Sequence, residues 1–294
     1  MRMLLTLLMC LSLCQATSAQ TQTQTPKSDS TKKIVLVAGE TAKADTVGHH
    51  DYIAGCKCLA DCLMQTPNIS TSVVLEGWPA DEAVFDGAAA VVFYTDGGGK
   101  QAFLSAPQRI EKMQQLAQAG VGFVMIHQAV DYPSKHAERA LSWLGGIYVA
   151  DQSGRGHWPS RHVDFPSHPI TRGVEPWEVN DGWLNELQFV EGMQGITPLV
   201  WSGKKYEGSR AGLDADVVGF AYERPGGGRS FGFTGLDAHS AWSLAGMRKF
   251  VTNGVLWTAH VEIPSDGAAC AMDAAQLEGY LTPREPKPKP KAKK

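Results

Sequence analysis

The sequence predicts an α/β fold: a doubly wound, mainly parallel sheet with helices on both faces and a β-rich C-terminal extension. Three observations carry that expectation. Continuous apolar runs of strand length recur at residues 33–38, 88–94 and 121–126, as strands buried on both faces of a parallel sheet require. Stretches of helical periodicity at residues 52–64, 107–118 and 136–144 alternate with them, the pattern of crossover-connected parallel strands. The 294-residue chain is 43% hydrophobic and 19% charged, so it can bury an ordinary core without a metal or disulfide merely to fold.

Taken in order, residues 33–38 run apolar into Gly39 and form the first strand, and residues 52–64 keep one apolar face as the first helix. A short second strand at residues 72–75 stops at Gly77-Trp78-Pro79. The third, residues 88–94, leads to Asp96-Gly97-Gly98-Gly99. The helix at 107–118 has Pro107 in its first turn, where a missing N–H is harmless, and Gly120 fits its C-terminal cap. Residues 121–126 form a fourth buried strand that runs directly into His127, and the helix at 136–144 closes at Gly145-Gly146. The second half changes character, with short extended segments around Val163, Gln188 and Leu199. A hairpin joins residues 217–223 to 229–234 through Pro225-Gly226-Gly227-Gly228, and a last helix spans residues 247–258. These β-rich segments extend the sheet or fold as a flap over its edge.

The ends differ from the body. Residues 1–19 read as a cleaved signal peptide. Arg2 is the positive n-region, residues 3–13 are an apolar run too short to span a bilayer, and Thr17-Ser18-Ala19 is a small-residue cleavage site. The expected destination is the periplasm or the medium. Acylation at Cys14 fits less well, because Leu13 stands where a small residue is normal. Residues 20–31 are a Thr/Gln-rich, disordered linker, residues 32–265 the folded domain, and residues 266–294 a C-terminal extension. Its Pro/Lys-rich tail, residues 283–294, holds six basic residues and one acid, Glu285. With a net charge of −3 for the whole chain, the body ahead of that tail is distinctly acidic, which argues against nucleic acid as a ligand. The tail can touch an anionic polymer or membrane surface, or simply be solvated. No later segment reaches transmembrane length.

Cys56, Cys58 and Cys62 fall within one helix, and Cys270 stands apart. Cys58 and Cys62, four residues apart, are badly placed for a disulfide. Cys56 shares an apolar face with Leu59, Ala60 and Leu63, so buried cysteines acting as small hydrophobes are expected. Their spacing is not that of a standard zinc site.

In an open α/β sheet, ligands bind beyond the carboxyl ends of the strands. Three strands end suggestively, at Gly48-His49-His50-Asp51, at Thr95-Asp96-Gly97-Gly98-Gly99 and at His127-Gln128-Ala129-Val130-Asp131. His127 sits at a strand-to-helix turn, where a side chain stands above the sheet edge. An imidazole there serves as general base, metal ligand or hydrogen-bond donor. Asp131 orients His127 or shares a metal with it, or is simply an acid favoured by the helix dipole. His50 is expected to point into the site, while Asp51 reads equally as the cap of its helix. Asp96, Gly97 and Gly98 are expected to bind substrate, the glycine amides facing an anion or a sugar hydroxyl, although a tight turn explains them as well. His157, His162 and His168 lie in a Gly/Pro/Trp-rich stretch that can cover a pocket, with Trp158 able to stack on a sugar ring. His239 follows the last strand and can return to the same edge. No His pair has the spacing of a helical zinc motif, so a divalent metal such as zinc is assigned only to His50 and His127.

At these residues the chain resembles the trehalose-utilisation (ThuA-like) family. The resemblance covers residues 33–264. It is carried by Gly48-His49-His50, Gly77-Trp78-Pro79, the run from Gly120 through His127 to Asp131, Trp143-Leu144-Gly145-Gly146, His168-Pro169-Ile170-Thr171-Arg172-Gly173-Val174, Asn180-Asp181, and Gly232-Phe233-Thr234-Gly235 with His239. It implies a flavodoxin-like sheet of the class I glutamine amidotransferase type. Those amidotransferases keep a nucleophilic cysteine at the turn held here by His127, so the resemblance does not extend to glutamine hydrolysis. Three places depart from the family pattern, and in one of them the loop before His157 lacks a carboxylate expected near Val149. Asp181-Gly182 stands where relatives often show Asp-Glu, and Leu236-Asp237 where they often show Gly-His. What the resemblance implies is action on a small-molecule carbohydrate, a glucoside or 3-keto sugar derivative, as a hydrolase, lyase or isomerase. His127, His50, Asp131, His239 and Asp181 would supply the chemistry, and His157 and Trp158 would contact substrate beside the glycine loop. A homo-oligomer is compatible with this. The competing reading is a sugar-binding or scaffolding protein without turnover. The discriminating feature is whether His50, His127, Asp131 and His239 converge.

Overall fold

The computed structural model describes residues 31–40, 47–204 and 216–283. The expected leader, nearly all of the linker, and residues 284–294 of the tail lie outside the described residues. Residues from Thr31 onward form one unit.

A seven-stranded sheet in the order β2-β1-β3-β4-β11-β10-β9 forms the centre. The first four strands are β1 (Lys32–Ala38), β2 (Ile69–Val74), β3 (Ala88–Tyr94) and β4 (Gly122–Ile126). They alternate with helices α1 (Tyr52–Leu63) and α2 (Pro107–Gln118), and α3 (Ala137–Leu144) follows β4. All four pair in parallel. Alternate residues of β1 feed different cores. Ile34, Leu36 and Ala38 pack with Leu59 and Phe250, while Val35 and Val37 pack with Met113 and Trp143. Burial on both faces is what removes period-two polarity from these strands.

Two short strands, β5 (Gly146–Ile147) and β8 (Gln188–Phe189), pair with one another. Between them β6 (Gly154–His162) and β7 (Trp177–Asn185) form an antiparallel ribbon. The remaining strands, β9 (Ile196–Trp201), β10 (Val217–Glu223) and β11 (Arg229–Phe233), complete the sheet. β11 joins β4 in parallel, and β10 and β9 continue antiparallel to their neighbours. The expected β-rich half thus does both things: β9–β11 extend the sheet, and β6–β7 stands off it.

Helix α4 (Ala245–Thr258) is buried along nearly its whole length. The segment expected only as an extension adds a further helix, α5 (Ala274–Tyr280), opened by a capping box between Asp273 and Gln276. Leu277 of α5 enters the same core as α1, and Thr282 donates to both carboxylate oxygens of Asp51 at 2.7 and 2.8 Å. Asp51 also caps α1 by accepting from Ala54 N. All four described cysteines are buried and unpaired. No described helix is long and apolar enough to cross a membrane.

Candidate functional site

Four segments meet at the carboxyl edge of the sheet. The loop before α1 supplies His49 and His50, the turn after β4 supplies His127, the β6 ribbon supplies His157, and the turn after β11 supplies Asp237. Strand order is the cause, since β1, β3, β4 and β11 are successive neighbours. Backbone pairing tightens the meeting: His50 N donates to Asp237 O at 3.0 Å and His239 N to Gly48 O at 2.6 Å. His50, His127 and Leu236 have φ of 46°, 55° and 71°. Each costs a non-glycine residue about 1–3 kcal/mol, and such strain concentrates at functional sites.

The Asp237 carboxylate is the hub. Its Oδ1 lies 2.8 Å from His50 Nε2 and 3.3 Å from His127 Nε2, and its Oδ2 lies 3.3 Å from His49 Nδ1 and 2.7 Å from His157 Nε2. Burial acts to raise this carboxyl, but the imidazoles of His127, His50 and His157 around it outweigh that and hold it well below the usual carboxylate range. Asp237 is therefore ionised. The rings of His50 and His127 stack at 5.3 Å and 29°, and Tyr52 stacks on the outer face of His50 at 5.9 Å.

Tautomers sharpen the picture. His127 Nδ1 is 2.9 Å from Thr234 O, and a carbonyl only accepts, so Nδ1 carries the proton. Nε2 is then the ring atom that faces Asp237 Oδ1, 3.3 Å away. Both atoms are buried, and neither has a hydrogen-bond partner of acceptable geometry. His50 Nε2 stands 2.9 Å from the amide nitrogen of Gln128. An Nε2 that accepts from Gln128 has no proton left for Asp237. Ring nitrogens thus converge on an anion, an arrangement that calls for a proton or a cation between them.

Asp181 holds this hub in place. It is buried, its Oδ2 accepting from Leu236 N at 2.6 Å and its Oδ1 from Ala238 N at 3.2 Å, the amides that flank Asp237. The Tyr94 hydroxyl donates to Leu236 O. Burial raises the Asp181 carboxyl even though the His127 charge and three backbone amides pull it down. Gly182 follows it, opposite His157 in the ribbon. A Cβ at Gly182 would stand 2.8 Å from Asp237 Oδ2, so the missing side chain is what lets the carboxylate fit.

The expected residues divide. Of the four residues whose convergence the enzyme reading required, His50 and His127 meet, and His157 joins them as a partner of Asp237 rather than as a separate substrate contact. His239 does not converge. Its Nε2 is 2.8 Å from Leu277 O, which turns the ring toward α5. Both Asp181 oxygens are engaged by backbone amides, so it positions Asp237 rather than facing a reactant. Asp131 is not among the groups that share the hub. Its backbone carbonyl accepts from Gly98 N at 2.9 Å and Gln101 Nε2 at 2.5 Å. Burial, only partly offset by Arg155, the Gly98 amide and Lys100, pushes its carboxyl up to about 6.

The glycine loop has a structural occupation as well. Gly98 and Gly99 donate to Asp131 O and Gln101 Oε1, and Gly97 passes so close to Gln128 O that only glycine fits. These amides of Gly98 and Gly99 are not offered to a ligand. Asp96 accepts from Tyr52 OH at 2.7 Å and so braces the ring behind His50. Trp158 is no open platform, because Lys204 lies 4.8 Å over its ring and its Nε1 donates to Ser202 O. His162 is buried beside Ser160, with its pKa lowered to about 4 by desolvation, and His168 caps a short 3-10 turn. Asp237, which the sequence marks only as a departure from the family pattern, is an acid one turn beyond a strand end, and those were its two signals.

The donor set suits a divalent cation. Two imidazoles and a carboxylate oxygen are borderline ligands of the kind zinc takes. The bond from His127 Nδ1 to a backbone carbonyl is the outer-shell support such ligands usually have. His50, His127 and Asp237 place their ligand atoms within 4.8 Å of one another, and so do His49, His157 and Asp237. Among the described residues no cysteine joins such a group.

Fold and site together define an α/β sheet protein with a His-carboxylate cluster at the carboxyl edge of its parallel strands. The sequence profile of the ThuA family, described as trehalose utilisation, matches residues 34–258. The chain belongs to that family. Among solved structures, a ThuA-like protein of Parabacteroides merdae is 14% identical with a TM-score of 0.53, over 82% of this chain and 95% of that one. A ThuA-like protein of Bacteroides uniformis is 12% identical with a TM-score of 0.53, over 80% and 94%. At such identities the likeness is one of fold. No curated protein matches the chain.

Proposed function

We propose that this is an exported carbohydrate-active enzyme whose Asp237 cluster binds a divalent cation of the zinc class and acts on a glucoside or 3-keto sugar derivative. The buried, unpartnered Nε2 of His127, facing an ionised carboxylate 3.3 Å away, carries the reading. His50, His127 and Asp237 Oδ1 would hold the cation. When bound, such a cation polarises a carbonyl or hydroxyl oxygen.

The chain's own residues supply the rest. His157 donates Nε2–H to Asp237 Oδ2, which leaves the Nδ1 lone pair at the exposed mouth, able to take and return a proton. Asp237 fixes that tautomer and would stabilise the imidazolium. Tyr52 and Tyr94 close the floor behind His50 and exclude water there. The family description supports a sugar substrate. The n-region, apolar run and small-residue site of residues 1–19 support export to the periplasm or beyond.

Two measurements test the reading. Metal analysis of purified protein should find zinc that His127→Ala abolishes, and unchanged zinc in the variant refutes the metal assignment. A panel of glucosides and 3-keto glycosides, with binding and product read separately, should give turnover. Binding without product would leave a sugar-binding protein, and neither would remove the carbohydrate assignment.

A further inference from the structure

We propose a second, outer cation position at the mouth of the same site, held by His49, His157 and Asp237 Oδ2, weaker than the inner one and filled after it. It rests on the inner position assigned above. The observation behind it is the division of one carboxylate between two imidazole pairs. Among the described residues, the imidazoles against Oδ1 are those of His50 and His127, and those against Oδ2 are His49 and His157. In each group the three ligand atoms lie within 4.8 Å of one another.

The two positions differ in solvation. The side chains of His50 and His127 are 22% and 3% exposed, whereas those of His49 and His157 are 44% and 66% exposed. The inner pair is pre-organised by Thr234 O and Gln128. The outer pair, being more exposed, must give up more water to ligate, which weakens binding. Charge acts in the same direction, because a single carboxylate shared by two dications leaves the pair over-charged. The outer position is therefore the weaker, and it fills only after the inner one.

Zinc titration of the full chain by calorimetry, with metal content after dialysis at low and high free zinc, tests this. Two classes of one equivalent each are expected. His49→Ala should lose the weak class and keep the tight one, and His127→Ala should lose the tight one. His157→Gln, on the exposed ribbon, is a second variant that should also lose the weak class. A single class lost in His127→Ala and untouched by the other two overturns the outer position and leaves the inner one standing. A single class lost in all three indicates one shared centre, which also overturns it. Two classes indifferent to His49→Ala and His157→Gln overturn it as well. No bound zinc at all removes both positions.

Discussion

Replacing Gly182 by alanine adds one methyl group where β7 passes the Asp237 carboxylate. A Cβ there stands 2.8 Å from Asp237 Oδ2 and 2.9 Å from its Cβ and Cγ. Comfortable contact is about 3.5–4.0 Å, so the two must separate by roughly 1 Å. Asp237 cannot yield freely, since Asp181 grips the amides on both sides of it. If the ribbon yields instead, it carries His157, paired with Gly182, away from its 2.7 Å bond to Oδ2. Overpacking of this kind costs about 1–3 kcal/mol, or a fall in Tm of roughly 2–12 °C for a body of this size. Thermal denaturation with and without zinc should show both a lower Tm and a smaller zinc-induced rise. Gly279→Ala is the control. It lies exposed on α5 with nothing within 4 Å, and alanine there should raise stability by about 0.5–1 kcal/mol through helix propensity. A Gly182→Ala protein that melts with the wild type and keeps its full zinc-induced rise would refute the role given to this glycine.

Three further outcomes are expected. Asp237 has a depressed folded-state pKa, so its stabilisation is present above the unfolded value of about 3.9 and is lost as pH falls below it. Urea midpoints of wild type and Asp237→Asn, compared with zinc removed, should draw together as pH drops from 5 toward 2; a constant gap would contradict the ion-paired hub. Asp131 has the opposite sign, being pushed up to about 6, so wild type loses stability as pH rises from about 4 through 6. Asp131→Asn should therefore gain on wild type at pH 7 and not at pH 4, read by the same midpoints. His239→Ala removes the bond to Leu277 O and should cost about 0.5–1.5 kcal/mol while zinc titration stays unchanged; a lost zinc equivalent would return His239 to the site.

Much of the sheet was legible because burial on both faces writes itself locally. Residues 33–38, 88–94 and 121–126 have no polar face to lose, and each stands in the structure as a parallel strand within a residue or so of those bounds. His127 was legible for the same reason, as the residue at the end of such a run. The β6 strand was not. Its sequence, GRGHWPSRH, holds two glycines and a proline, and a two-stranded ribbon off the main sheet tolerates these where a central strand would not. Helix α5 was hidden by its length of seven residues, too short for periodicity to speak, and it is held by contacts to α1 made far along the chain. The glycine loop misled because close approach of Gly97 to Gln128 and exposed amides awaiting a ligand leave the same glycines in a sequence.

The sequence by itself determined the layers of this protein and the edge where its loops would gather, because hydrophobic period and strand-end position are local properties. Only the tertiary structure could decide which loop residues face one another. Asp237 becomes the hub because β11 crosses back to lie beside β4, a pairing between segments about a hundred residues apart that leaves no local trace. Gly182 and Asp181 acquire their roles only once the ribbon and that turn are in contact. The four imidazoles were visible one at a time, and the carboxylate that gathers them only as a departure from the family pattern, since an aspartate after a strand is ordinary until the strand order places it.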